Sequence, residues 1–156
     1  MNIVELRNGK NHPIEILPIK VQDFKNLNRE RYFFSWEEEN ESEIYKLCIK
    51  EQNDILGLIS LQRIPTEWRV HINLLTVSSE NKGQNKIYDK IAANLLSFAA
   101  KISVSEYGAL GCISLKPKSI LLHHYISKYN MKITGQTLSL ELPEILNLIN
   151  TYDNEF

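Results

Sequence analysis

Cysteine is scarce in this chain. Cys48 and Cys112 are the only two in 156 residues, both inside apolar, strand-like runs, and neither belongs to a CxxC or Cys/His spacing. That excludes a disulfide framework and a sulfur-built zinc site and leaves two buried thiols. A basic excess is missing too: 18 Lys and Arg face 19 Asp and Glu, a formal net charge of −1. Sequence-independent nucleic-acid binding therefore has no electrostatic footprint here, and nucleic acid is unsupported as a partner. His123 and His124 adjoin, but neighbours on a helix point about 100° apart, so no metal is expected. No apolar run is long enough to span a membrane, and Met1 to Lys20 lacks the cationic start and apolar core of a signal peptide, so a cytoplasmic protein off the membrane is expected. No repeat, low-complexity linker or composition shift divides the chain. A single domain over 1–156 is expected, with 143–156 as a C-terminal helical extension begun by Pro143.

What the chain does contain is centred on His71 to Ile102, which reads as strand, polar loop and long helix. Apolar residues alternate at Val70, Ile72 and Leu74, then slip by one to Leu75 and Val77. Such a slip predicts a β-bulge in the 70–77 strand. Ile87, Ile91, Leu95, Phe98 and Ile102 then recur at helical spacing, predicting a helix over Gln84–Ser103. In the loop, Lys82, Gly83 and Lys86 stand where a helix start ordinarily prefers acidic residues. Either the lysines are simply solvated and the glycine makes a turn, or an anion such as phosphate sits on the free amides.

The remainder predicts a hairpin of Asn2–Leu6 and Ile14–Ile19 about Asn8-Gly9, with Pro13 limiting the second segment to an edge or a strand start. A helix over Val21–Tyr32 follows, then an acidic run at Glu37–Glu43 that is either a solvated loop or an attractor of cationic amines. Ile44–Ile49 and Ile55–Arg63 form a second hairpin, and Gly57 marks a bulge or a close approach. A strand at 109–115 closes a central βαβ unit with the 70–77 strand. A helix over Lys118–Tyr129, strands at 131–134 and 136–142 about Gly135, and the last helix complete an α/β mixed sheet with helices on both faces.

At Val77 to Ile87 the chain resembles the acyl-CoA pyrophosphate loop of the GCN5-related N-acetyltransferases (GNAT), in which a bulged strand ending in Val runs into Gln/Arg-x-x-Gly-x-Gly/Ala and a long helix. Glu80 stands at the Gln/Arg position, Gly83 at the first glycine and Asn85 at the second. Tyr125 to Met131 resembles the family's Tyr-x-Lys-x-Gly-Phe, with Tyr125 and Lys128 matching and Asn130 and Met131 replacing Gly and Phe. The resemblance implies an acetyl-CoA-dependent N-acetyltransferase acting by direct transfer to a primary amine, with acetyl-CoA as donor and no metal. Leu75, Thr76 and Val77 would bind the pantetheine arm, and the amides of Lys82, Gly83, Gln84, Asn85 and Lys86 the pyrophosphate. Tyr125 would protonate the leaving thiolate, and His71, at the position of a glutamate in several members, would be the general base. The acceptor would be a small-molecule or peptide amine, and a homodimer is compatible with the fold. The alternative is a catalytically silent binding or interaction protein on the same fold, which the eroded glycines at Asn85 and Asn130 favour; a toxin–antitoxin component is a further reading that the sequence neither supports nor excludes.

Overall fold

The computed structural model describes residues 1–39, 41–116, 122–134 and 137–153, with 122–125 and 133–134 described by backbone alone. The architecture is mixed α/β. Two compact units are distinguished, one of residues 1–60 and 74–95, the other of 61–73 and 96–156.

The first unit contains β1 (Asn2–Glu5), β2 (Lys10–Pro18), β3 (Glu43–Ile49), the start of β4 (Gly57–Ile64), the end of β5 (Arg69–Val77) and β6 (Tyr88–Asp89). Its strand order is β6-β1-β2-β3-β4-β5. The Asn8-Gly9 hairpin forms as the turn chemistry predicts: Gly9 takes φ 72°, and the Asn8 side chain accepts from Lys10 N at 2.9 Å. Strand β2 starts earlier than expected and runs through Pro13. It pairs with β1 through Pro13 and with β3 from Ile14 onward, so the missing N–H falls where the strand changes partner, and Pro13 O still accepts from Lys50 N at 2.9 Å. The predicted helix over 21–32 is instead a 3-10 segment at Val21–Asn26 and one turn of α1 (Arg29–Tyr32). The spacing of three among Val21, Phe24 and Leu27 suits a 3-10 helix better than an α-helix, and the Asn28 side chain restarts the chain by accepting from Arg31 N. Leu27, Tyr32, Trp36, Ile44, Cys48, Ile55 and Leu58 form the core beneath.

The second unit contains the end of β4, the start of β5, β7 (Cys112–Leu115), β8 (Lys132–Thr134) and β9 (Thr137–Leu140), in the order β4-β5-β7-β9-β8. Strands β5 and β7 are parallel, as the βαβ reading requires, from Arg69–Cys112 to Ile72–Leu115. The helix between them, α2, spans Ile91–Tyr107 rather than 84–103. Ile87, counted as its first apolar position, is 48% exposed and lies outside it. Where α2 ends, Gly111 approaches it so closely that a Cβ would lie 2.5 Å from Ser103 O. Helix α3 (Leu122–Tyr129) ends at Asn130, whose φ is 57°. Helix α4 (Glu144–Tyr152) buries Ile145, Leu148 and Ile149, and the following Asp153 pairs with Lys101 of α2 at 2.5 Å. The predicted helix residues 118–121, the turn at Gly135 and the last residues after Asp153 lie outside the described residues.

Candidate functional site

Among the described residues the parallel ladder of β5 with β7 runs from Arg69 to Ile72, and β5 continues to Val77. The sequence places its phase slip here. Burial does not slip with it: Val70, Ile72, Thr76 and Ser78 are buried, and Leu75 and Val77 are half-buried, so past Ile72 polar residues take the buried side. Gly57 on β4 is the reason these parts can approach: a Cβ there would lie 2.7 Å from Ile91 Cγ2 and 3.3 Å from Thr76 O. The predicted close approach at Gly57 is thus observed, and it brings the first residue of α2 against the strands.

Between β5 and α2 the chain makes a tied-off excursion. Asn81, 4% exposed, donates from Nδ2 to Ser78 Oγ at 2.9 Å and accepts at Oδ1 from Tyr88 N at 2.8 Å. Ile87 N donates to Glu80 O at 3.3 Å. Lys82, Gly83, Gln84, Asn85 and Lys86 form the excursion itself, and all but the half-buried Lys86 are exposed. Gly83 has φ 87°, and a Cβ there would meet nothing within 4 Å. These residues precede the helix, so their amides are not its first amides. Glu80 has a partner outside the loop. It pairs with Arg31, whose guanidinium also holds Asp54 at 2.7 and 3.0 Å. Burial alone would raise the Glu80 carboxyl; the Arg31 bonds and Ser78 bring it below the ordinary value.

The helix start itself is Lys90-Ile91-Ala92-Ala93. Lys90 has φ 78°, the left-handed region that glycine adopts without cost. Its N–H donates to Asp89 Oδ1 at 2.8 Å, and that carboxylate is paired with Lys86 at 2.8 Å. The first amides of any helix lack partners within it, and here two alanines leave their surroundings small. An open pocket elsewhere in the same unit is lined by Arg29, Phe34, Ser35, Glu38, Glu39 and Leu74, so part of the acidic run meets the strand at Leu74.

In the second unit, His71 is half-buried, with Nδ1 2.8 Å from Ser114 Oγ. Burial first, then Arg69 and Lys116, hold its pKa below 6.5. Tyr125 lies in α3 by its backbone; its side chain, like those of His123 and His124, lies outside the described residues. Among the described residues no group of three His, Cys, Asp or Glu could hold a metal, and no helix is long and apolar enough to cross a membrane.

No protein-family model and no curated protein sequence matches the chain. Solved structures do. A GNAT family acetyltransferase from Elizabethkingia anophelis with acetyl-CoA bound superposes with a TM-score of 0.61 at 16% identity, covering 83% of this chain and 98% of that one. A chimera of the Vibrio cholerae spermidine N-acetyltransferase SpeG gives 0.60 at 16% identity, covering 86% and 98%. A mutant of the toxin AtaT bound to the C-terminus of the antitoxin AtaR gives 0.60 at 15%, covering 90% and 99%. The fold is that of the GNAT acetyltransferases. Lys90 and Asn130 both take the left-handed backbone that glycine favours. The sequence reading set the helix start too early because Gly83 is the visible glycine and Ile87 continues the apolar spacing; the pair Ala92-Ala93 just ahead of Leu95-Leu96 was the available signal for the observed start.

Proposed function

We propose that the protein is an N-acetyltransferase that moves an acetyl group from acetyl-CoA directly to a cationic primary amine. The observation that carries this reading is the helix start, where Lys90 adopts a glycine conformation and Ile91, Ala92 and Ala93 offer first-turn amides to a pyrophosphate. Leu75, Thr76 and Val77, beyond the ladder with β7, would take the pantetheine arm through their backbone. Bound acetyl-CoA supplies the thioester; this chain's own residues would orient it, with Tyr125 giving the departing sulfur its proton. Glu38 and Glu39 would attract the ammonium group of the acceptor.

Calorimetric titration with acetyl-CoA tests the donor half. Ala92→Asp puts a negative side chain at the helix start, which the helix itself tolerates or prefers, so binding should be lost with melting temperature kept. Gly83→Asp, on the excursion, should leave binding intact; the reverse pattern would return the pyrophosphate to Lys82–Lys86. One observation favours the silent alternative: the Asp89 carboxylate already occupies the Lys90 amide. If saturating acetyl-CoA gives neither heat nor thermal shift in the wild type, that alternative stands and the enzyme reading falls.

A further inference from the structure

The side of β5 opposite Val70 and Ile72 carries Arg69 and His71, and the parallel register sets His71 beside Ser114 of β7. Ser114 is 1% exposed, and among the described residues its hydroxyl meets Arg69 Nη1 at 2.8 Å and His71 Nδ1 at 2.8 Å. A guanidinium can only donate, whereas a serine hydroxyl has one proton to give and lone pairs to receive. Arg69 therefore takes an oxygen lone pair, and among the described residues the proton of Ser114 has one acceptor, His71 Nδ1. Were Nδ1 protonated, both neighbours would donate to Oγ and a buried hydroxyl proton would lack an acceptor, which carries the desolvation penalty of an unmade bond. We propose that Ser114, oriented by Arg69, is a positioning residue that locks His71 as the neutral Nε2–H tautomer. Strand β5 thus presents a fixed hydrogen-bond donor for a carbonyl oxygen instead of a base for an ammonium proton.

The charges around the ring agree. Arg69 and Lys116 oppose a second proton on it, and Glu67 is engaged by Arg69. Among the described residues Nε2 has no hydrogen-bond partner, so its proton is available to a ligand. Naming that ligand as an acyl carbonyl rests on the acetyltransferase reading; the tautomer does not. The acceptor's proton must then leave to water or to another side chain.

The decisive measurement is nitrogen NMR of histidine-labelled protein without ligand at neutral pH, with His71 assigned through His71→Gln. The expected spectrum has a protonated Nε2 and an unprotonated Nδ1. Ser114→Ala should mix the tautomers, and Ser114→Thr, which keeps the hydroxyl, should restore the single form. An Nδ1–H form in the wild type overturns the proposal whether or not the variants fold, and so does an unchanged tautomer in a folded Ser114→Ala. With an acceptor in hand, His71→Gln, whose amide N–H can replace Nε2–H, should recover turnover that His71→Ala loses; equal loss in both would mark a base and reject the donor role. If acetyl-CoA does not bind at all, the function fails while the tautomer result still stands by itself.

Discussion

Lys90 takes a conformation that costs an L-residue roughly 1–2 kcal/mol. Lys90→Gly should therefore gain about 1 kcal/mol, less the entropy a glycine adds to the unfolded chain, and the proposed acetyl-CoA binding should survive it if only the backbone matters there. Urea unfolding with an unchanged m-value checks the first half, and titration the second. Two glycines give the opposite experiment. At Gly57 an added Cβ would press on the ends of Ile91 and Leu95, which can yield, whereas at Gly111 it would press on the backbone carbonyl of Ser103, which cannot. Overpacking costs about 1–3 kcal/mol; Gly57→Ala should fall low in that range and Gly111→Ala at its top or beyond. Equal losses by denaturant melts would contradict the contrast between side-chain and backbone neighbours.

At the scale of elements, α2 explains why the candidate site was only half legible. Ile91, Ala93, Asn94, Leu95, Leu96, Ser97, Ala99 and Ala100 are all buried, so the first turns of the helix have no bare side and its apolar stripe does not say where it begins. Ile87 extended the stripe backwards by one false turn. The strand, the parallel pairing with β7 and the approach at Gly57 could be read from alternation and from one glycine, because those are local signals. What stayed hidden depended on distant partners: β6 exists because Tyr88 and Asp89 reach β1, and Arg31 draws Glu80 away from the loop. Asn81 is the hinge pin of that stretch. Asn81→Ala would strip Tyr88 N of its acceptor, a loss of about 1–3 kcal/mol if the amide stays dry. Amide hydrogen exchange should quicken at Tyr88 and leave β3 unaffected.

For the whole molecule, acid sensitivity should come in two stages. The His71 pKa is held down in the fold, so between that lowered value and its ordinary value of about 6.5 the unfolded chain binds more protons and stability drops as pH falls. Glu80 and Asp23 are also held down, with Arg31 and Lys46 as their partners, so a second loss should set in below the ordinary carboxylate values of about 4. His71→Gln should flatten the upper stage alone; a profile level from pH 7 to 5 in the wild type would contradict it. The excursion at Lys82–Lys86 has a further consequence. Because Asn81, Glu80, Ile87 and Tyr88 knot its base, a cut in the peptide chain between Lys82 and Lys86 removes no bond on either side of the knot. Trypsin should nick the native protein there first, and the two fragments, each unfolded when alone, should stay together through a sizing column and reassemble when mixed as a split protein.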